Sequence, residues 1–465
     1  MSIIQAETAD CAAHVPVVVV GGGACGLVAA LAAHDAGAPV VVIERDPLPR
    51  GSTSMSLGAL CAVGSADQAQ HGIADNADIF FADVMAKTGG TADPVITRLV
   101  ADQSGATLDW LAHRHGVALR VDPNWPPAFG HSRMRMHVTP GGSGADLIDR
   151  LIAACDVAGI PILTNARLTN IIATADGQVA GVRYVRPDGS AEDIGCDAMV
   201  LATCGFGGNS AMVAQHIPTM TDARYFGWEG NRGDGIVLGQ ALGGDVGDMD
   251  AYQGLGLLAD PQGIDLNPRF LIEGGIQVDR RGHRFSHELA DVSGQGALVL
   301  QQIDGVAWVI YDERIHGSCA DLPQYIALRE AGGVHSASTV QALAARLGID
   351  PAGLADTLAQ VSAVGADRFG RVFNTPVLKA PYFGVRVTGA VFHTQGGLRI
   401  DHLARVIRRN GSPIGNLFAG GGAARGISGQ GPSGYLPGAG LCCAIILGQV
   451  AGTAAGALAN CTPRS

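Results

Sequence analysis

The sequence predicts an α/β fold in which one domain is interrupted by a second. A run of β-branched residues, Val17–Val20, leads into closely spaced glycines, a helical stretch and a second strand, Val40–Ile43. Glycine is frequent up to about residue 258, thins out over 259–382 and returns from 383 onward. We therefore predict a first domain formed by 1–258 and 383–465, and an inserted α+β domain formed by 259–382.

The glycines after the first strand follow the pattern G-x-G-x-x-G, with Gly21, Gly23 and Gly26, and the second strand ends at Glu44. In a Rossmann unit these glycines permit a tight turn, close approach of a pyrophosphate and close helix packing. The helix N-terminus attracts phosphate, and the acid accepts hydrogen bonds from a ribose. We therefore predict a Rossmann-like nucleotide site, although such a motif alone also fits a glycine turn in any α/β protein.

The composition excludes some functions. A net charge of −11 argues against nucleic acid as a partner, because nucleic acid needs a basic surface. The ten cysteines have no C-x-x-C, haem or zinc spacing, so we predict buried, reduced thiols and no metal site. Residues 1–16 lack the basic and apolar regions of a secretory signal. These features predict a cytoplasmic protein.

Periodicity and turn residues predict the remaining elements. Short alternating runs separated by Asp-Gly turns predict an antiparallel β-meander over 160–164, 168–174, 179–185 and 191–194. We expect loops at 51–58 and 120–144. Helices are predicted at 27–36, 75–87, 93–115, 146–159, 338–347 and 351–364.

The segment 438–459 has no charged residue and is long enough to cross a membrane. It is rich in Gly, Ala and Cys, is interrupted by Gln449 and lacks flanking aromatic anchors. We therefore predict a buried helix that packs beneath a cofactor, and no membrane span.

Several glycine-rich blocks occur in a fixed order along nearly the whole chain. They are Gly21 to Gly26 with Glu44; Gly51 to Gly58; Leu201 to Asn209; Gly233-Asp234-Gly235 followed by Met249, Asp250 and Gln253; Val278 to Glu288; and His393 to Asp401 through Leu417–Gly422 to Gly434–Leu441. Together they resemble the FAD-dependent flavoproteins related to fumarate reductase and 3-ketosteroid Δ1-dehydrogenase. This resemblance implies FAD rather than NAD, held by a Rossmann-like domain with a catalytic cap.

The resemblance also implies which residues contact FAD. Gly21 to Gly26 would hold the pyrophosphate, Glu44 the adenosine ribose, and the 51–58 block the ribityl chain. The full implied set is Gly21, Gly23, Ala24, Cys25, Gly26, Glu44, Arg45, Ser52, Thr53, Ser54, Ser56, Gly58, Thr203, Gly205, Asp234, Gly421, Gly422, Gly440 and Leu441.

Departures from the family pattern point away from fumarate reduction. The block 51–60 contains no histidine, so we expect non-covalent FAD. Gly422 stands where fumarate reductases have a glutamate, and the 434–438 loop lacks their dicarboxylate-binding arginine. No arginine follows Glu288 at the place of their proton donor. The Tyr435-containing loop is more similar to that of the ketosteroid dehydrogenases.

Candidate catalytic residues follow from this likeness. We predict that Tyr435 and the Gly440 amide form a carbonyl pocket. His393 would bind a carboxylate or carbonyl, with a core role nearly as well supported. Arg135 and His137 lie in a donor-rich loop that either meets substrate or is solvated with its arginine on the FAD phosphate. The catalytic base is not identified; the cap offers Tyr311, Tyr325 and Tyr382.

The predicted reaction is dehydrogenation of a ketone, cyclic or also bearing a carboxylate, to its α,β-unsaturated product. The alternative is an ene-reductase that acts on an unsaturated carboxylic acid. The sequence supplies no haem or iron–sulfur ligands, so an external acceptor such as oxygen, a quinone or an electron carrier is expected. A non-enzymatic flavin-binding assembly subunit is the third hypothesis.

Overall fold

The computed structural model of the protein describes residues 1–5, 11, 13–123, 125–361 and 367–461. These residues form two compact units. The first comprises Met1–Met212, Gly227–Tyr252 and His393–Ser465, and the second comprises Val213–Phe226 and Gln253–Phe392. The main segment of the second unit, Gln253–Phe392, is longer at both ends than the predicted 259–382, and the unit also includes the earlier segment Val213–Phe226. That these units act as FAD domain and cap stays a prediction.

The first unit is built on a six-stranded sheet. Val17–Val20 lies at its centre and pairs in parallel with Val40–Ile43 on one side and with Ala198–Leu201 on the other. All four valines are buried, as expected for β-branched residues in a parallel sheet covered on both faces. The complete strand order is Arg405–Ile407, Pro413–Ala419, Ala198–Leu201, Val17–Val20, Val40–Ile43 and Ile162–Leu163.

Two apolar helices, Ala24–Asp35 and Ala439–Cys461, pack against each other so closely that their backbones are in contact. A Cβ added at Gly448, Gly452 or Gly456 of helix Ala439–Cys461 would lie 2.5, 2.0 or 2.9 Å from a carbonyl oxygen of helix Ala24–Asp35. Only residues without a side chain allow this approach. The later helix is long and apolar enough to cross a membrane, with mean hydropathy 1.8, but more than half of its most apolar stretch is buried within the protein.

A second sheet of the first unit contains the predicted β-meander. Its strands Arg167–Ala173, Val179–Val185 and Ala191–Gly195 are antiparallel, and Ser2–Gln5 and Ala13–His14 form its two edges. The prediction that 160–164 begins the meander is wrong. Ile162–Leu163 instead pairs in parallel with Val40–Ile43. A short apolar run does not identify its partner strand, because both environments require the same residue types.

The other elements of the first unit mostly match the predicted periodicity. Asp93 caps helix Pro94–His115 by accepting hydrogen bonds from the amides of Val95 and Ile96. Two predicted loops are wrong: 51–58 contains a short helix, and 120–144 contains two short strands. The bounds are Gly51–Met55, Ala66–Gln70, Ala77–Lys87, Gly144–Val157, Asp234–Ala241 and the 3₁₀ turn Gly421–Ala423 for helices, and Leu60–Cys61, Arg120–Val121, Met136–Val138, Val246–Gly247 and Gly397–Leu398 for strands.

The second unit has its own sheet, centred on the long strand Tyr382–Thr394, which pairs antiparallel with Val306–Asp312. The predicted helix 351–364 is observed as Pro351–Val361, and its last three positions lie outside the described residues. The remaining strands are Arg224–Tyr225, Tyr252–Ala259, Ile264–Asp265, Ile276–Val278 and His335–Ala337, and the helices are Ser210–His216, Pro218–Met220, Arg269–Ile272, Gln295–Leu300, Ile303–Gly305, Glu313–Ser318, Pro323–Glu330 and Val340–Leu347.

Candidate cofactor and active site

A cavity opens in the first unit where the parallel strands end. The ends of three neighbouring strands contribute Val20, Ile43 and Ala202 to its wall. In open α/β sheets this edge is where ligands bind, since loops and helix N-termini converge there. Of the predicted site residues, Gly21, Gly23, Ala24, Cys25, Glu44, Arg45, Ser52, Thr53, Ser56, Thr203, Asp234, His393, Gly421, Gly422, Gly440 and Leu441 line the cavity.

The first and last glycines of the turn, Gly21 and Gly26, are required by packing within the protein. Gly21 has φ of +108°, and a Cβ there would lie 2.4 Å from the Ala202 carbonyl oxygen. A Cβ on Gly26 would lie 1.8 Å from the Gly21 carbonyl oxygen. Both positions therefore require glycine for packing within the protein.

Gly23 differs from the other two glycines because a side chain at this position would extend into the cavity. A Cβ there would have one neighbour within 4 Å, the Thr53 hydroxyl oxygen at 3.6 Å. Gly23 is also the N-cap of helix Ala24–Asp35 and offers no capping side chain of its own, while the Ala24 amide donates to the Thr53 hydroxyl oxygen at 3.0 Å. The positive end of the helix therefore lies beside a space that a side chain at position 23 would fill, which fits a pyrophosphate.

The Glu44 carboxylate is fixed on the cavity wall by backbone amides. Its Oε2 accepts a hydrogen bond from the Gly22 amide at 2.6 Å, and its Oε1 accepts one from the Asp46 amide at 2.9 Å. Burial raises the pKa of Glu44. The charged wall residues Arg45 and Asp46 follow directly, so this part of the cavity is here called the charged end.

Two further charged groups belong to the charged end. Arg167 lines the cavity beside Ala166, whose amide donates to the Glu44 carbonyl oxygen at 2.8 Å. Asp234 begins helix Asp234–Ala241, and burial raises its pKa against the lowering effects of Arg45 and Arg167. The ribose and the phosphates of an adenosine diphosphate are the groups that such a mixture of carboxylates, guanidinium groups and amides can hold.

Four of the predicted FAD contacts lie behind the wall rather than on it. Ser54 donates its hydroxyl proton to the Gly51 carbonyl oxygen at 3.0 Å. A Cβ on Gly58 would lie 2.4 Å from the Ser143 backbone, and one on Gly205 would lie 2.1 Å from a threonine hydroxyl. Gly26, described above, is the fourth. These residues shape the backbone that carries the wall and do not border the cavity themselves.

The opposite part of the wall is uncharged and is here called the neutral end; it comprises His393, Thr394, Gln395, Gly440 and Leu441. His393 Nδ1 lies 2.6 Å from Gln395 Nε2, and Gln395 Oε1 lies 3.2 Å from the hydroxyl oxygen of Ser428. Burial lowers the pKa of His393 to about 4. The imidazole is therefore neutral at physiological pH.

Tyr435 packs edge-on against His393, with ring centroids 5.6 Å apart. Burial raises the pKa of Tyr435, against the lowering effect of the backbone amides of Gly438 and Gly440. Tyr435 is not itself on the cavity wall. The predicted pair is thus brought close together, with Gly440 on the wall and Tyr435 beside it.

Arg135 and His137 are placed away from this cavity. The Arg135 side chain is fully buried and pairs with Asp75 at 2.7 Å and Asp83 at 2.5 Å. His137 is also buried; its Nε2 lies 2.8 Å from the Ser65 hydroxyl oxygen. Neither residue borders the cavity, and a contact of this loop with substrate or with the FAD phosphate stays a prediction.

Sequence reasoning missed several wall residues. Cys204 has φ of +62° and lies 3.8 Å from the Ser52 hydroxyl oxygen, but its position inside a glycine run gave the only signal. Gln395 adjoins His393 in the block already noted. The other missed positions with polar groups are Asp46, Arg167, Asn231 and Thr394, while Trp228 was expected near the active cleft as a structural residue.

A Rossmann turn, a buried acid at the end of the second strand and a neutral second end are typical of a dinucleotide-binding redox site. The chain belongs to the FAD binding domain family, whose model matches residues 16–442. It is therefore an FAD-dependent oxidoreductase, and its relatives act on carbon–carbon bonds.

One relative is a probable fumarate reductase of Shewanella frigidimarina, 30% identical over 444 residues, which cover 94% of this chain and 74% of that protein. A solved flavocytochrome c3 fumarate reductase matches with a TM-score of 0.84 at 29% identity, over 97% of this chain and 79% of that one. The 3-ketosteroid Δ4-(5α)-dehydrogenase of Rhodococcus jostii shares the fold, with a TM-score of 0.79 at 24% identity over 98% of this chain and 100% of that one. These matches confirm the predicted α/β fold and the suspected family.

Proposed function

We propose that the protein is an FAD-dependent dehydrogenase that introduces a C=C bond α,β to a ketone. The observation that carries this proposal is the neutral end of the cavity. There His393 and the start of helix Ala439–Cys461 line the cavity, Tyr435 packs against His393 from beside the wall, and the described residues of this end include no charged side chain. Neutral donors suit a ketone oxygen, whose charge develops only as the α-proton leaves.

The hydroxyl of Tyr435 is the proposed donor to that oxygen. It is neutral because burial raises its pKa, so it keeps its proton at working pH. The backbone amides of Gly438 and Gly440 act on this hydroxyl in the direction that lowers its pKa, which strengthens its O–H as a donor. The positive end of the helix therefore acts on the carbonyl through the tyrosine.

The positions of the arginines support a ketone over a dicarboxylate. The described wall contains two arginines, Arg45 and Arg167, and both belong to the charged end. Arg425, which follows the glycine-rich 3₁₀ turn, is bound to Asp248 at 2.7 Å and to Asp93 at 2.9 Å. A dicarboxylate would need cations that the neutral end of this unit does not supply.

FAD, when bound, supplies the acceptor for the hydride that leaves the β-carbon. The chain's own part is to hold the carbonyl, to take the α-proton with a base that is not yet identified and to exclude water. An external acceptor such as oxygen, a quinone or an electron carrier then completes turnover. The substrate is proposed to be a cyclic ketone or a keto acid.

The second candidate is the reverse class of reaction, reduction of an unsaturated carboxylic acid. The 30% identity to a probable fumarate reductase favours it. In that case His393, neutral and on the wall, would donate a hydrogen bond to a substrate carboxylate. Both candidates use the same cavity, so the direction of hydride transfer separates them.

Anaerobic mixing of the purified holoenzyme with a panel of ketones and enoates measures that direction. Bleaching of oxidised flavin by a saturated ketone is expected for the proposed dehydrogenase. Reoxidation of dithionite-reduced flavin by enoic acids, with no bleaching by any ketone, would instead establish the reductase. A flavin that responds to neither panel would favour the non-enzymatic assembly subunit.

Tyr435→Phe tests the proposed donor. Turnover should fall by about 100-fold or more while FAD stays bound, which is the usual cost of losing one oxyanion donor. Tyr184→Phe is a matched control, because that hydroxyl donates to Glu192 on the β-meander at 2.6 Å. Wild-type turnover in Tyr435→Phe would remove the tyrosine from the mechanism.

We also propose that FAD is held without a covalent bond. The block 51–60 contains no histidine that could form one. Acid precipitation should release the flavin to the supernatant. Yellow colour that stays with the washed pellet would contradict this.

A further inference from the structure

Residues 228–231, here called the clasp, are fastened to the nucleotide-binding elements by three hydrogen bonds. The Trp228 indole N–H donates to Asp46 Oδ2 at 2.7 Å. The Arg45 guanidinium donates to the Gly230 carbonyl oxygen at 2.8 Å, and the Asn231 side-chain amide donates to the Ser52 hydroxyl oxygen at 2.6 Å. The clasp is thus joined to the residues after Glu44 and to the serine-rich helix.

The clasp also forms part of the cavity wall. Trp228, Gly230 and Asn231 all line the cavity, as do their partners Arg45, Asp46 and Ser52. Among the described wall residues, Trp228 is the only Trp, Tyr or Phe. An aromatic ring therefore borders the charged end, next to the carboxylate that fits a ribose.

The indole is held in place by its edge. Asp46 accepts the ring N–H, and the Asp46 side chain is itself only 26% exposed, so this bond is partly shielded from water. A ring fixed at its edge can present its face to a flat base without losing rotamer freedom on binding. Purine bases stack favourably on such faces.

We propose that Trp228 is the platform on which the adenine of FAD stacks, and that Asp46 is the positioning residue that orients it. The clasp would then grip the adenosine half of the cofactor, so that affinity for FAD depends on a base which FMN lacks. The inference concerns cofactor selection and is independent of the substrate. Its outcome can therefore differ from that of the ketone proposal.

Flavin release from the holoenzyme tests the platform. In Trp228→Leu the Kd for FAD should rise by about 5- to 100-fold, the range expected for loss of one base–aromatic stack. The Kd for FMN, measured on the flavin-free protein, should change by less than about twofold. Binding is followed by flavin fluorescence, which needs no substrate.

Two further variants separate stacking from a general structural role. Trp228→Phe keeps a ring and should hold FAD within about threefold of wild type. Asp46→Ala removes the carboxylate that holds the indole N–H. Its Kd for FAD should lie between those of the wild type and of Trp228→Leu. Indole emission should also be quenched on FAD binding in the wild type, and the quenched component should be missing from Trp228→Phe.

Trp110→Leu is the matched control, because Trp110 makes the same kind of indole–carboxylate bond, to Asp35 at 3.0 Å, but does not border the cavity. It should release FAD at the wild-type rate. Equal loss of FAD and FMN affinity in Trp228→Leu, or wild-type FAD affinity in that variant, would overturn the proposal. If Trp228→Leu fails to fold, weak FAD binding by a folded Trp228→Phe would overturn it as well.

Discussion

The charged end and the neutral end of the cavity are formed by different kinds of groups. The charged end combines the glycine turn at Gly21 and Gly23 with charged side chains, among them the Glu44 carboxylate that two backbone amides hold. The neutral end is formed by side chains, with His393, Gln395 and Ser428 in one hydrogen-bonded series. Binding of a cofactor common to many enzymes needs a fixed backbone, whereas the choice of substrate is left to side chains that can change singly.

The largest loss of stability should come from adding a methyl group at Gly26, where the backbone of the glycine turn leaves no room for it. Gly26→Ala would place a Cβ 1.8 Å from the Gly21 carbonyl oxygen. We expect roughly 3 kcal/mol of lost stability in urea unfolding, since backbone cannot move aside as a side chain can. Gly317→Ala, with no atom within 4 Å, is the control and should change stability by less than about 1 kcal/mol. A wild-type midpoint for Gly26→Ala would contradict the rigid-backbone account.

The free energy of unfolding should depend on pH because His393, at the neutral end, is buried in its neutral form. The pKa of His393 is lowered from 6.5 to about 4 by burial, so the folded state favours the neutral ring. Its contribution is present above pH 6.5 and is lost as the pH falls toward 4. Between about pH 7.5 and about pH 4.5 the wild type should lose about 2 to 3 kcal/mol more than His393→Gln. Parallel pH profiles of the two proteins would show that His393 is not buried as neutral imidazole.

Gly23→Ala should separate binding from folding within the charged end. Its φ of −76° and ψ of −177° suit alanine, and the added Cβ would meet only Thr53. Stability should change by less than about 1 kcal/mol, while the Kd for FAD rises by at least about tenfold. Unchanged FAD affinity would show that the pyrophosphate does not approach this turn.

The smallest expected effect concerns helix Ala439–Cys461, which connects the neutral end to the core. The intact protein should stay in the supernatant after cell lysis without detergent, in agreement with a cytoplasmic location. The helix uses its apolar surface on helix Ala24–Asp35, so little is left for lipid. Membrane association that survives high salt would contradict both predictions.

The sequence predicted residues of both ends where local motifs contain them and failed where a role depends on long-range pairing. Gly21, Gly23 and Glu44 are close in the chain, and local periodicity is enough to find them. Arg135 carries the same charge as any substrate-binding arginine, and only its burial with Asp75 and Asp83 reveals a structural role. Pairing between residues that are distant in the chain produces no repeating pattern in the sequence.

The same reasoning explains two smaller differences. Trp228 is more than 180 residues from its partner Asp46, so nothing in the local sequence connects it to the cavity. The strand Ile162–Leu163 is apolar enough for either sheet, and its partner is chosen by the topology of the whole domain. The helices with clear caps, such as Pro94–His115, were predicted within one or two residues.

The packing of the last helix on the first has a consequence for how the protein is made. Strand Pro413–Ala419 and helix Ala439–Cys461 complete a sheet and a cavity that begin at Val17. A ribosome must therefore synthesise almost the entire chain before the cofactor site can exist. During that interval the apolar helix Ala24–Asp35 lacks its partner, and an early release or a stalled ribosome yields a chain that cannot retain flavin.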